Sequence, residues 1–172
     1  GEPFRNVIQK ELLEPLNMQN SFYGLTPDKR NDVAYGHSKR GKPIKLGYKV
    51  YPQEAAAALW TTSFDYSKLL LEVLASLNED RPSIFTKESI NLLTTPTNTT
   101  NGKLNLYGLG VGLQVDENDK VKAIGHSGAN IGYSSVFYLD VNDGSGYVLL
   151  TNRNFADLSD IKSLLRKNIW EK

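Results

Sequence analysis

The sequence predicts an α+β fold: helices first, then an antiparallel meander, then one helix packed back onto the sheet. Three observations carry that expectation. Helical periodicities fall before residue 104, β-forming runs separated by turn signals fall after it, and Leu158, Ile161, Leu165 and Ile169 recur on one helical face at the end. Helices and strands segregated in this way indicate α+β rather than an alternating βαβ sheet.

Phe4, Val7, Ile8 and Leu12 recur at helical spacing behind Pro3, and Pro15 ends that helix at Glu14. Residues Tyr23 to Gln53 mix Gly, Pro and Lys with short β-like pieces such as Val33-Ala34-Tyr35, and read as a long ordered excursion turning at Gly41. Thr62 caps a helix with Asp65 three residues on, and Leu69, Leu70, Val73, Leu74 and Leu77 continue it. A second short helix starts at Thr86 and carries Ile90 and Leu93, and Thr94 to Lys103 reads as a loop. Strands are expected within Tyr107–Asp116, Val121–Gly125, Ile131–Asp140 and Gly146–Thr151, with Asn142-Asp143-Gly144 as a turn.

Composition narrows the function classes. The chain has 172 residues, 40% of them hydrophobic, enough for one domain with a core. Twenty basic residues against 19 acidic ones give a net charge of +1, which makes no electrostatic case for nucleic acid, and no block of like charge suggests a membrane patch. There is no cysteine, so disulfides, zinc–thiolate sites and cysteine nucleophiles are excluded. No apolar run approaches the roughly 20 residues of a membrane span, and no secretory leader opens the chain. His37 and His126 are far apart and in no metal-ligand spacing, so no metal or cofactor is expected, and His37 reads as an exposed loop residue. Trp60 and the tyrosines at 35, 48 and 51 read as packing residues, some on a pocket rim.

Gly125-His126-Ser127-Gly128 is the most informative stretch, and it has two catalytic readings. A nucleophile elbow would put Ser127 on a strand-to-helix turn, but position 129 is Ala and no histidine follows Ser127, against the chain order of that fold. The other reading puts His126-Ser127-Gly128 on the edge strand of an antiparallel sheet.

On that second reading the chain resembles the serine β-lactamase and penicillin-binding-protein family, in its class C and D-alanyl-D-alanine-peptidase branch. His126-Ser127-Gly128 is similar to that family's Lys-Thr-Gly motif and its His-Ser-Gly variant. Leu13 to Met18, Ala34-Tyr35-Gly36 with Gly41-Lys42-Pro43, Leu59 to Asp65, Tyr107 to Gly110 and Thr151-Asn152 resemble further family segments, in the family order. Asn17, the alanine run Ala55 to Ala58, and Ala129 replace glycines frequent in the family.

The resemblance implies the carboxy-terminal part of a β-lactamase/transpeptidase-like fold. Residues 1–103 would be its helical region and loops, and 104–172 its antiparallel strands and closing helix. It implies a serine hydrolase opening amide or ester bonds through an acyl-enzyme, with β-lactams, D-alanyl peptides or small esters as substrates. Carboxypeptidase and esterase activities both fall within that range. The backbone amide of Ala129 would be one oxyanion donor, a contribution typically near 3 kcal/mol. Ser127 would offer its hydroxyl to substrate, His126 would stand in for the family lysine, and Gly128 would let the backbone approach closely. Asn152 would touch a substrate carboxylate, although the residues alone favour a turn role for Asn152 and Asn154.

The family nucleophile, in Ser-x-x-Lys, and its Tyr-x-Asn motif belong upstream of this region and are not matched. Ser159 to Lys162, Ser76 to Asn78 and Ser89 to Asn91 have similar spacings, but they lie on packing helices or in the wrong order. The chain alone is therefore expected to be inactive, with the amino-terminal part of the same fold as its partner. The uncovered surface would favour a dimer or an element swap. A periplasmic or extracellular location follows only from the resemblance. A non-catalytic binding or regulatory module on this fold, and an unrelated α+β domain, are the alternatives.

Overall fold

The computed structural model describes residues 1–78, 83–97, 99–100, 103–104 and 106–170. Helix α1 (Phe4–Ile8) widens into a π-helical turn, Gln9–Leu13, and the chain leaves it through Asn17, whose φ of 52° lets the Met18 amide return to the Leu13 carbonyl. Strand β1 (Phe22–Tyr23) pairs antiparallel with β2 (Leu59–Trp60), and the excursion runs between them.

That excursion is ordered, but it is not a sheet. Val33-Ala34-Tyr35 forms no strand. A hairpin closes at Gly41, where φ is +76° and the amide bonds to Ser38, and His37 bridges both Pro43 and Arg153. A single-turn helix α2 (Glu54–Ala57) leads into β2. Pinning of the loop by isolated bridges corrects the reading of Val33 to Tyr35 as β-like: alternation over three residues supplies no partner strand.

Helix α3 (Ser63–Asn78) starts where expected, with the Thr62 hydroxyl accepting from the Asp65 amide at 3.1 Å. The Asp65 carboxylate does not close the capping box. It reaches instead to the loop before β1, where it accepts from the Asn20 amide (2.7 Å) and the Ser21 hydroxyl (3.0 Å). Thr86 caps helix α4 (Lys87–Thr94) by accepting from the Ser89 amide. A two-residue pair, β3 (Thr99–Thr100) with β4 (Lys103–Leu104), occupies part of the stretch expected to be loop, while residues 98, 101 and 102 of that stretch lie outside the described residues.

The main sheet has four antiparallel strands in sequence order: β5 (Gly112–Val115), β6 (Val121–Asn130), β7 (Tyr133–Asp140) and β8 (Gly146–Thr151). Leu113, Ile124 and Leu139 are register partners across three strands, so they share one face. Leu70, Val73 and Leu74 of α3 and the fully buried Ile90 of α4 pack onto that face and form the core. Each such side chain contributes about 1.5–3 kcal/mol on burial.

Helix α5 (Ser159–Trp170) lies near the sheet, with the Arg166 guanidinium 5.8 Å from the Tyr138 ring centroid. Its expected apolar stripe is only partly covered. Leu158 and Leu165 are half-buried, Ile161 is exposed, and the side chain of Ile169 lies outside the described residues. No described helix is long and apolar enough to cross a membrane.

Candidate active site

The length of β5 decides the character of β6. The β5–β6 ladder runs only from Val115↔Val121 to Gly112↔Gly125, whereas β6 continues to Asn130 against β7. From His126 onward β6 is therefore an edge strand. It is an interior strand as far as Gly125, so the edge expected for His126-Ser127-Gly128 is half a strand long.

The hydrogen-bond parity of the ladder shows which backbone groups face that open edge. The Val141 amide donates to the Lys122 carbonyl at 2.9 Å, so even-numbered β6 residues exchange bonds with β7. Odd-numbered residues point their N–H and C=O the other way. For Ala123 and Gly125 that direction meets β5, and for Ser127 and Ala129 it meets open space. Two backbone amides and two carbonyls thus line the edge, and no described strand pairs with them.

Side chains alternate in the same register. His126 pairs with Phe137 and Gly128 with Ser135, on the face that carries Ile124, while Ser127 and Ala129 project to the other. Gly125 is fixed by packing, because a Cβ there would lie 2.9 Å from the Phe137 carbonyl oxygen. Gly128 is less constrained, since its Cβ would meet the Ser135 hydroxyl at 2.5 Å, a group able to rotate away.

His126 is exposed, and its Nε2 lies 3.0 Å from the Tyr107 hydroxyl. Tyr107 is placed by an isolated bridge to Gly112, so the end of β5 positions the ring against the end of the open edge. At the other end, the Asn130 side chain donates to the Ala57 carbonyl (3.0 Å) and the Ile131 amide donates to the Tyr51 hydroxyl (2.8 Å).

A broad groove of about 1240 Å³ runs along this edge. Its polar side is formed by His126, Ser127, Gly128 and Ala129, and its aromatic wall by Phe22, Trp60, Tyr66 and Tyr133. The Tyr133 hydroxyl lies 2.8 Å from the Ala34 carbonyl and 2.9 Å from that of Gly47, which ties the excursion to the sheet, and Trp60 packs edge-on at 5.4 Å. Burial, reinforced by Tyr23, pushes the Tyr66 phenol up to about 12, so it is a neutral hydroxyl at neutral pH.

Behind the groove Asp65 is fully buried. Burial alone would push its carboxyl up, but hydrogen bonds from Lys68, the Asn20 amide and Ser21, with the Lys68 charge, outweigh that and hold it below the usual carboxylate range. Asn20 and its neighbour Gln19 line the groove, so this carboxylate holds one of its walls.

The structure gathers His126, Ser127, Gly128 and Ala129 on one edge and places Asn152 on the same groove. The Asn152 side-chain amide is spent on the Tyr35 carbonyl at 2.8 Å, in keeping with a tethering role. His37 is half-buried rather than exposed: its amide donates to the Asn152 carbonyl at 2.8 Å, and that pairing holds the excursion against the end of β8. The near-matches to the missing motifs have other work. The buried Ser76 hydroxyl donates to the Glu72 carbonyl, Ser89 partners Thr86, and the Ser159 amide donates to the Asp157 carboxylate at the start of α5. Sequence reasoning did not single out Tyr107 as the partner of His126, or Asp65 as more than a helix-start residue, because both depend on contacts far along the chain. No group of three metal-ligating side chains forms among the described residues.

An antiparallel sheet with a half-open strand carrying His-Ser-Gly, a helical layer on one face and a helix after the last strand, is the arrangement of the β-lactamase/transpeptidase-like fold. The chain belongs to the Beta-lactamase family, whose model matches residues 1–167. Among solved structures it is similar to an octameric penicillin-binding protein homologue from Pyrococcus abyssi, at 23% identity and a TM-score of 0.72 over 98% of this chain and 38% of that one. It is also similar to a class C beta-lactamase, at 16% identity and a TM-score of 0.68 over 98% of this chain and 51% of that one. A D-stereospecific amidohydrolase from Streptomyces sp. matches at 17% identity and a TM-score of 0.68, over 100% of this chain and 50% of that one. The chain thus spans about half or less of the length of these structures. No curated relative matches it by sequence.

Proposed function

We propose that this chain is the substrate-binding part of a serine hydrolase that opens amide or ester bonds through an acyl-enzyme. The observation that carries this is the open half of β6, where Ser127 and Ala129 turn backbone groups that no described strand pairs with toward a groove walled by aromatic side chains. A planar acyl group or extended peptide lies along such an edge by main-chain hydrogen bonding. The Ala129 N–H donates to the oxygen that gains charge when the carbonyl is attacked, an effect worth about 3 kcal/mol of barrier. The Ser127 hydroxyl binds a substrate carboxylate or carbonyl. His126, steadied by Tyr107, stands where the family carries lysine and serves the proton traffic at the groove. The substrates that suit this edge are β-lactams, D-alanyl peptides and small esters, and an exported location accords with them.

The serine that forms the acyl bond, and its lysine, come from a segment outside these 172 residues. The test is intact mass after incubation with a fluorescent penicillin. This chain alone gives no covalent adduct. A longer protein that joins it to a preceding Ser-x-x-Lys segment gives one, and His126→Ala or Ser127→Ala weakens the labelling. An adduct on this chain alone contradicts the division of labour. A longer protein that binds D-alanyl peptides without ever acylating is instead a non-catalytic member of the family.

A further inference from the structure

The near-zero net charge hides a strong segregation. From Asp28 to Lys49 seven basic residues stand against two acidic ones, a local net charge of +5 in a chain of +1. The rest of the molecule is therefore acidic overall. Lys39, Arg40, Lys42 and Lys45 are all exposed on the hairpin that turns at Gly41 and its return, and Lys49 follows on the groove rim. None of these five forms an ion pair among the described residues. Arg153 adds to the cluster, since its guanidinium donates to the Lys39 carbonyl beneath the hairpin tip.

Large apolar side chains stand among these charges. Leu46 is 74% exposed, Tyr35 64% and Val50 58%. Tyr35 packs against Gly47, so it lies beside Leu46. Leu46 also has a φ of 63°, a conformation that disfavours any side chain with a Cβ and most of all a large one. The fold thus tolerates backbone strain to hold an apolar side chain in water between two lysine-bearing segments, a pattern typical of functional surfaces. A site for a soluble polyanion needs the charges, but it gains nothing from a strained, protruding leucine. A surface that meets an anionic bilayer uses both, with lysines at the phosphate layer and apolar tips inserted below it.

We propose that the hairpin and turn spanning Gly36–Val50 form a peripheral docking surface for anionic lipid bilayers. The surface stands on its own observations, whatever the groove binds. Because Lys49 lies on both, docking sets the open edge of β6 beside the lipid headgroups.

The test is co-sedimentation of the whole chain with vesicles, either phosphatidylcholine alone or phosphatidylcholine mixed with phosphatidylglycerol. Binding is expected on the mixed vesicles only, and weaker as salt rises. Substituting Lys39→Gln, Arg40→Gln, Lys42→Gln and Lys45→Gln together weakens partitioning by about tenfold or more. Leu46→Ser, which keeps every charge, also weakens it severalfold. A control variant carrying Lys162→Gln and Lys167→Gln on α5 binds as the parent does. Circular dichroism confirms that each variant is folded.

Three results would overturn the proposal: no partitioning at low salt; equal weakening by the α5 control, which would mean diffuse attraction; or vesicle binding that is competed by inorganic polyphosphate and indifferent to Leu46→Ser, which would mean a polyanion site.

Discussion

Replacing Asp65 by alanine removes the carboxylate that anchors the loop before β1 to the start of α3. That carboxylate accepts from the Asn20 amide (2.7 Å), the Ser21 hydroxyl (3.0 Å) and the Lys68 ammonium (2.8 Å), and it is fully buried. Removing one member of a buried pair typically costs about 3–5 kcal/mol, because the groups left behind lose their partner without regaining water. The Lys68 side chain is 24% exposed and partly rehydrates, so the lower end applies, about 3 kcal/mol. For a chain of this size that lowers Tm by about 6–12 °C. Asp65→Asn keeps an acceptor for the loop but loses the charge, and costs about half as much.

The pH dependence has a definite sign. The folded carboxyl titrates below its ordinary value, so its contribution is complete above the unfolded value of about 4 and fades as pH falls from there toward the depressed folded value. Urea unfolding of wild type and Asp65→Ala, followed by tryptophan fluorescence across pH, measures both effects. A gap under about 1 kcal/mol at neutral pH, or a gap that does not shrink in acid, refutes the account of Asp65 as the clamp behind the groove.

Three further outcomes follow from the same geometry. Ile90→Ala opens a cavity beneath the sheet, where Ile90 has no exposed surface, and lowers stability by about 2–5 kcal/mol in urea unfolding. Gly125→Ala drives a methyl to 2.9 Å from the Phe137 carbonyl oxygen and costs about 1–3 kcal/mol in the same assay. Tyr107→Phe removes the hydroxyl 3.0 Å from His126 Nε2, so the nitrogen-15 shifts of His126 move toward a changed tautomer balance while those of His37 stay put.

Most of the fold was legible because its signals are local. Thr62 and Thr86 announce helix starts through their own hydroxyls, and Asn142-Asp143-Gly144 forces the β7–β8 turn with a φ of 74° at Gly144. The His126 to Ala129 edge was legible as a stretch of residues, but the half-strand that makes it an edge depends on where β5 stops, and alternation along one strand says nothing of its neighbour's length. The excursion was legible as ordered but not as a set of tethers. His37 to Asn152, Tyr133 to Ala34 and Asn130 to Ala57 are pairings between residues 115, 99 and 73 positions apart. The basic surface was missed for a different reason: a whole-chain charge of +1 averages over the segregation that places +5 between residues 28 and 49. On α5, helical periodicity identified the helix correctly but overestimated how much of its stripe the sheet covers, because a repeating pattern gives a direction and no contact.

The central claim is that the open half of β6 receives an acyl group, and backbone amide NMR tests it most directly. Titrating the labelled chain with a D-alanyl-D-alanine peptide should shift the amides of Ser127, Gly128 and Ala129 together with the ring signals of His126, and leave the β5-paired residues Ala123 and Gly125 little changed. Shifts that centre elsewhere, or a titration in which Ser127 and Ala129 stay fixed while the rest of the groove responds, would contradict the assignment of this edge as the substrate site.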